Sequence, residues 1–211
     1  MALKTFVKIS EVNNLSDARY CAGMTVDLMG FSLVESSLSY VNPANFMELT
    51  GWVSGVDFVG EFGDASEEEI KKSLPEYEIH YIQTDNPAIL PQLTDIPQKL
   101  ILRFNVDVIQ DANKITEIME KSSGLATYFL FESVKGIHYK EHILNQVLDW
   151  AKDFPIILGF NVSEENVLQL TQENAIKGIS LKGGEEIRPG FKDFDELADI
   201  LETLEIDDTI E

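Results

Sequence analysis

The sequence predicts an α/β fold, a closed (βα)8 barrel of the TIM type, and three observations carry that prediction. Strand-like and helix-like segments alternate along the whole 211-residue chain, eight times over. Several strands are unbroken apolar runs, such as Phe129 to Phe131 and Ile156 to Leu158. Such runs suit strands covered on both faces, as in parallel sheets. Near the end, the short apolar strand Gly178 to Leu181 empties into Lys182-Gly183-Gly184, whose bare backbone can approach an anion. The alternative is an open doubly wound sheet. Its mark is missing: Ser10-Glu11-Val12-Asn13 follows the first strand where a glycine-rich dinucleotide fingerprint would stand.

Taken in order, Thr5 to Ile9 reads as strand one, and Asn14 to Cys21 as a helix with Ser16 and Asp17 at its start and Gly23 past its end. Val26 to Phe31 is strand two, and Pro43 to Gly51 a helix with proline in its first turn. Val56 to Phe62 is strand three, and Ser66 to Leu74 a helix opened by a Ser-x-x-Glu box. Tyr77 to Gln83 is strand four, followed by a poorly helical stretch from Asn86 to Leu93. Lys99 to Phe104 and Asp111 to Lys121 form the fifth unit, Thr127 to Phe131 and His138 to Lys152 the sixth. Pro155 to Leu158 is strand seven, and Ser163 opens a helix running to Leu170. Lys177 to Leu181 is strand eight; Pro189-Gly190 marks a turn, and Asp193 caps the last helix, Phe194 to Leu204. The expected organisation is one barrel over residues 1–204 and an acidic tail over 205–211.

A hydrophobic content of 44% supports a sizeable core. The formal charge of −21 argues against nucleic acid and against anionic membrane surfaces as partners, since no excess of Lys and Arg is there to displace counterions. No apolar run is long enough to cross a bilayer, and MALKTFVKIS has no signal-peptide architecture. A single cysteine, Cys21, excludes an internal disulfide framework and reads as a small core residue. A cytoplasmic protein, monomer or homodimer, is the expectation.

In a (βα)8 barrel the chemistry sits at the C-terminal ends of the strands. That selects Lys8, Ser10 and Glu11 after strand one, Ser32 and Glu35 after strand two, and Glu61 and Asp64 after strand three. It adds Gln83 and Asp85, Arg103 and Asn105, Glu132 and Ser133, Asn161, and Lys182 to Gly184. Phosphate is expected after strands seven and eight, on Asn161, Ser163, Lys182, Gly183 and Gly184. Glu132 follows an apolar run, so its carboxyl is a general acid of raised pKa or the ion-pair partner of Arg103. Lys8 is an anion-binding ammonium or a partner for Glu11 or Glu61. His80 alternates with apolar residues and reads as a packing histidine. His138 and His142 share a helix face without a third ligand, so neither a metal nor another cofactor is expected.

These motifs resemble the phosphoribosylanthranilate isomerase family over nearly the whole chain. The opening VKISEVNNLSDARYCAGM is similar to that family's Lys-Ile-Cys-Gly strand end and Asn-Leu-x-Asp-Ala helix start. Ser39-Tyr40-Val41-Asn42-Pro43 resembles its Arg-Tyr-Val-Ser-Pro; Pro155 to Val167 and Gly178 to Asp193 resemble its last two units, down to Pro-Gly-x-Lys-Asp. The resemblance implies a (βα)8 enzyme that converts a phosphorylated aminoaldose into an aminoketose, with a cysteine after strand one as base and an aspartate after strand six as acid. Here those positions hold Ser10 and Glu132, and Glu11 replaces a glycine. A serine hydroxyl is far harder to ionise than a thiol. Glu11 is a substitute base, and Glu132 keeps the acid on a side chain one methylene longer. Among the substrate contacts, Lys8 and Arg103 stay basic, while Ser39 stands for an arginine and Gln83 for a histidine. Phe160-Asn161 stands for a glycine pair. The expectation is a barrel that binds a small phosphorylated or anionic ligand with the isomerase chemistry lost or altered. An active, divergent isomerase of tryptophan biosynthesis and a non-catalytic interaction subunit are the alternatives.

Overall fold

A computed structural model describes residues 2–135, 141–183, 186–188, 191–192 and 195–206. Eight parallel strands close into a barrel in sequence order: β1 (Phe6–Ser10), β2 (Leu28–Ser32), β3 (Asp57–Glu61), β4 (Tyr81–Thr84), β5 (Lys99–Asn105), β6 (Ala126–Glu132), β7 (Ile156–Gly159) and β8 (Gly178–Lys182). Closure is made by β8 against β1, in register from Phe6 opposite Gly178 to Ser10 opposite Lys182. The connecting helices are α1 (Leu15–Gly23), α2 (Pro43–Thr50), α3 (Glu67–Ser73), α4 (Ala112–Ser122), α5 (Glu141–Trp150), α6 (Val167–Glu173) and α7 (Asp195–Thr203). After β4 the crossover is 3-10, Pro87–Leu93, because Pro91 inside it has no N–H to give to an α-helical ladder.

Side chains alternate across each strand, so two cores form. Leu28, Val59, Tyr81, Ile101, Leu130 and Ile157 fill the barrel interior, with Phe6 and Tyr128 packed against them. The opposite faces, among them Ile9, Phe31, Ile82, Leu102, Phe129 and Leu158, pack under the helices. The apolar runs of the sequence therefore are strands with two buried faces. The Ser66 box closes α3 as expected, with Glu69 accepting from the Ser66 amide at 2.8 Å.

Three local readings change. His80 precedes β4 rather than packing within it; its ring is half exposed, and Nδ1 accepts from the Phe58 amide at 2.9 Å. The helix expected from Ser163 starts only at Val167, because Asn166 folds back instead. Its side-chain oxygen takes the Ser163 amide at 2.9 Å and its nitrogen donates to the Asn161 carbonyl at 2.8 Å. The loop after β8 carries a short antiparallel pair, β9 (Glu186–Arg188) with β10 (Phe191–Lys192), which no periodicity announced. Cys21 is buried in the outer core as expected. The first residues of the acidic tail turn back on the N-terminus, the Ile206 amide donating to the Ala2 carbonyl at 2.9 Å.

Candidate active site at the barrel mouth

Above the interior plug, the inner-face positions change from apolar to polar. This switch follows the strand period of two: Phe6 leads to Lys8 and Ser10, Val59 to Glu61, Tyr81 to Gln83, Ile101 to Arg103, and Leu130 to Glu132. The side chains so placed form one network. Lys8, fully buried, donates to Glu61 Oε1 at 2.6 Å and to Ser10 Oγ at 2.5 Å. Ser10 donates in turn to Glu132 Oε1 at 2.6 Å, and Ser180 donates to the same oxygen at 2.8 Å. Arg103 grips Asp85 with two hydrogen bonds, at 2.7 and 2.5 Å, and stands 3.6 Å from Glu132 Oε2. Both readings of Lys8 narrow to Glu61. The Arg103–Glu132 ion pair exists, but the closer partner of Arg103 is Asp85.

Two glycines make room for this. A Cβ on Gly30 would fall onto the Glu61 carboxylate, and one on Gly159 would come within 2.5 Å of Glu132 Cγ. Gly159 lies opposite Glu132 in the ladder, so the bare residue accommodates the longer acid.

Glu132 is 3% exposed. Burial pushes its carboxyl upward, but the Lys8 ammonium, the Ser10 hydroxyl, Arg103 and Ser180 outweigh it and hold the pKa below the usual carboxylate value. This goes against the raised value of the general-acid reading and with the ion-pair reading: the sequence pointed to Arg103 but not to Lys8, Ser10 and Ser180. A carboxylate depressed in the folded state adds stability above its unfolded pKa of about 4.3. That stability is lost as the pH falls through the folded value. Urea unfolding at successive pH values should therefore show a falling stability below about pH 4.3 that is shallower in Glu132→Gln.

Glu11 lies outside the buried network. Its backbone is left-handed, φ +59°, which turns its amide onto Glu61 Oε2 at 3.2 Å. Its carboxylate reaches outward to Lys182 at 3.4 Å, with both side chains partly exposed. A side chain in this region costs about 1–2 kcal/mol. Glu11→Gly should relieve it at the loss of an exposed ion pair, for a net gain of about 0.5–1 kcal/mol and a melting temperature higher by about 1–4 °C in calorimetry.

The expected phosphate residues divide. Asn161 holds a left-handed φ of +52°, the conformation a glycine would take, and Asn is among the few side chains that tolerate it. Phe160 packs into the outer core, away from the barrel interior. The Gly183 amide donates to the Ser10 carbonyl at 3.1 Å and so extends the β1–β8 ladder. Lys182 is at the rim, and Ser163 is in the loop tied by Asn166. Gly184 lies outside the described residues, as do His138, Pro189-Gly190 and Asp193. Ser39 is in the loop after β2, its hydroxyl 3.1 Å from that of Ser37. Gln83 is buried on the inner face of β4.

Sequence reasoning missed two residues. Ser180, mid-strand on β8, gave no motif; only the inward alternation Gly178, Ser180, Lys182 could have exposed it. Asp107, after β5, accepts from the Ser133 hydroxyl at 2.9 Å and from the Val134 and Lys135 amides, both at 3.0 Å. It fastens the loop that follows Glu132.

A parallel eight-stranded barrel with Lys8, Glu61 and Glu132 buried together at one mouth defines the class: a TIM barrel with a charged cluster at the C-terminal ends of its strands. The sequence model of the family described as N-(5'phosphoribosyl)anthranilate (PRA) isomerase matches residues 7–203. The chain belongs to that family. It is 26% identical over 202 residues to N-(5'-phosphoribosyl)anthranilate isomerase of Chloroherpeton thalassium, covering 91% of both chains. Its fold is similar to the crystal structure of phosphoribosyl anthranilate isomerase from Thermotoga maritima, with a TM-score of 0.77 and 19% identity over 95% of this chain and 98% of that one. It is also similar to a phosphoribosyl anthranilate isomerase solved with reduced 1-(o-carboxyphenylamino)-1-deoxyribulose 5-phosphate, with a TM-score of 0.74 and 19% identity at the same coverage. No helix among the described residues is long and apolar enough to cross a membrane.

Proposed function

We propose that this chain is a working isomerase of the phosphoribosylanthranilate type, converting a 5-phosphorylated N-glycosidic aminoaldose into the aminoketose. Support comes from full-length relatives bearing that name and from a related barrel solved with a reduced product-like sugar phosphate. The observation that carries the reading is Glu132: an ionised carboxylate at the end of β6, buried between hydroxyls and cations at the mouth. In the rearrangement the C1–O4 ring bond breaks and O4 takes a proton from solvent, the O2 hydroxyl gives one back to solvent as it becomes the ketone, and the proton on C2 moves to C1. A carboxylate that starts ionised takes that proton first and returns it afterwards, with its charge steadied by Lys8 and Arg103. Ser10 acts by holding Glu132 rather than as the base that the resemblance implies at this position. Lys182, exposed beside Glu11, is the cation most readily turned toward a phosphate.

One observation favours a second reading. Four carboxylates, Glu11, Glu61, Asp85 and Glu132, already face the three cations Lys8, Arg103 and Lys182, and no thiol is present at the mouth. That suits a barrel that keeps the ligand and has given up its turnover. The deciding experiment incubates purified protein with phosphoribosylanthranilate and follows loss of the aminoaldose. Turnover abolished by Glu132→Gln supports the first reading. A folded protein without turnover, whose melting temperature nevertheless rises in ribulose 5-phosphate, supports the second.

A further inference from the structure

The two oxygens of Glu132 are not equivalent. Oε1 accepts from the Ser10 hydroxyl at 2.6 Å and from the Ser180 hydroxyl at 2.8 Å, which occupies both of its lone pairs. Oε2 accepts no hydrogen bond among the described residues, and Arg103 Nη1 stands 3.6 Å from it, beyond hydrogen-bond length. The strands build this asymmetry. Ser10 accepts from Lys8 Nζ at 2.5 Å, which leaves its own proton to give to Oε1. Ser180 stands opposite Lys8 in the β1–β8 ladder and must reach Glu132 across β7. Gly159 opens that path: a Cβ there would come within 2.5 Å of Glu132 Cγ and 3.2 Å of Ser180 Cβ. The two hydroxyls are 3.2 Å from each other, farther than either is from Oε1.

We propose that Ser180 is a positioning residue that, together with Ser10, reserves Oε1 and leaves Oε2 as the oxygen of Glu132 that carries the proton; its part in turnover rests on the isomerase-type reading of the mouth. A proton on Oε1 would confront two donors, and one hydroxyl would have to give up its partner in a buried site. A proton on Oε2 displaces nothing, and Oε1 then becomes the carbonyl oxygen with both hydroxyls still on it. In the rearrangement the proton leaving C2 lands on Oε2, its electron pair staying with the sugar. The same oxygen hands that proton to C1, so the carboxylate ends as it began. The charged groups facing Glu132 are Lys8 from β1 and Arg103 from β5, while β7 presents only Gly159. Glu61 on β3 and Asp85 on β4 are turned to Lys8 and Arg103 instead.

The test reads the carbonyl directly, because hydrogen bonds to a carbonyl oxygen lower its stretching frequency. Infrared difference spectra are taken without substrate, between pH 7 and the lowest pH at which circular dichroism still shows the fold. Wild type is compared with Ser180→Ala, and Glu132→Gln marks the band that belongs to Glu132. The wild-type band should lie low, as for a carbonyl holding two donors, and should move to higher frequency in Ser180→Ala. With phosphoribosylanthranilate as substrate, the acid limb of kcat/KM should move up by about one pH unit in Ser180→Ala, since a donor to the charged form has been lost. KM should stay within a few-fold. A wild-type band at the frequency of a carbonyl without donors overturns the proposal, and this result needs no variant. So does a band that Ser180→Ala leaves in place, or an acid limb that does not move. A band that responds to Ser180→Ala in a protein without turnover removes the isomerase reading alone. Turnover with an unmoved band removes this proposal alone.

Discussion

Lys8→Met is expected to destabilise the protein by about 3–5 kcal/mol, the largest loss among single changes at the mouth. The ammonium is wholly buried, and its removal strands Glu61 without a counter-charge and Ser10 without a donor. An uncompensated buried carboxylate, rather than the lost attraction, sets the size of the effect. For a chain of this length the loss corresponds to a melting temperature lower by about 6–20 °C. The argument also fixes the sign of a cycle. Lys8→Met/Glu61→Met removes both charges at once and should recover most of the loss, since an apolar pair of similar volume needs no desolvation. A single-variant loss below about 1 kcal/mol, or a double variant no better than the single, would show that water reaches this pair.

Glu132→Gln is expected to lower turnover of the aminoaldose by about 10²–10⁴-fold, because the amide keeps the shape and loses the proton site. The Ser10 and Ser180 hydroxyls that now donate to Oε1 can still donate to an amide oxygen, so the fold should persist. The result separates chemistry from binding: kcat falls, while ribulose 5-phosphate affinity stays within a few-fold. Glu132→Asp tests the geometry. Gly159 leaves space beneath the longer acid, and shortening it by one methylene pulls the carboxylate away from Ser10 and Ser180. A displacement of about 1 Å can cost about 100-fold. An aspartate variant faster than wild type would mean that the glutamate is a departure from catalysis, and the ligand-binding reading would then stand.

The barrel was legible because its evidence is repetitive. Eight apolar runs, each followed by a capped or periodic segment, leave few other folds open, and motifs from Lys8 to Lys182 fell at strand ends as that fold requires. Boundaries shifted where side chains fold back on the backbone, as Asn166 does ahead of α6. The site was legible in its members but not in its wiring. Position along a strand told that Lys8, Glu61, Arg103, Asp85 and Glu132 gather at one end. It did not tell that Arg103 would choose Asp85, or that Ser180 would join Ser10 on a single oxygen, because pairing across 48 or 122 residues of sequence depends on tilt and register. The direction of the Glu132 shift went with the ion-pair reading and against the general-acid one, because the partners brought in by that wiring outweigh its burial.

The grip of the Gly183 amide on the Ser10 carbonyl gives the rim a mechanical property. The first and last strands are fastened together at the height of the acid, through the carbonyl of the same serine whose hydroxyl steadies it. A shift of β8 against β1 at this point would move Ser10, and with it the hydroxyl that holds Glu132.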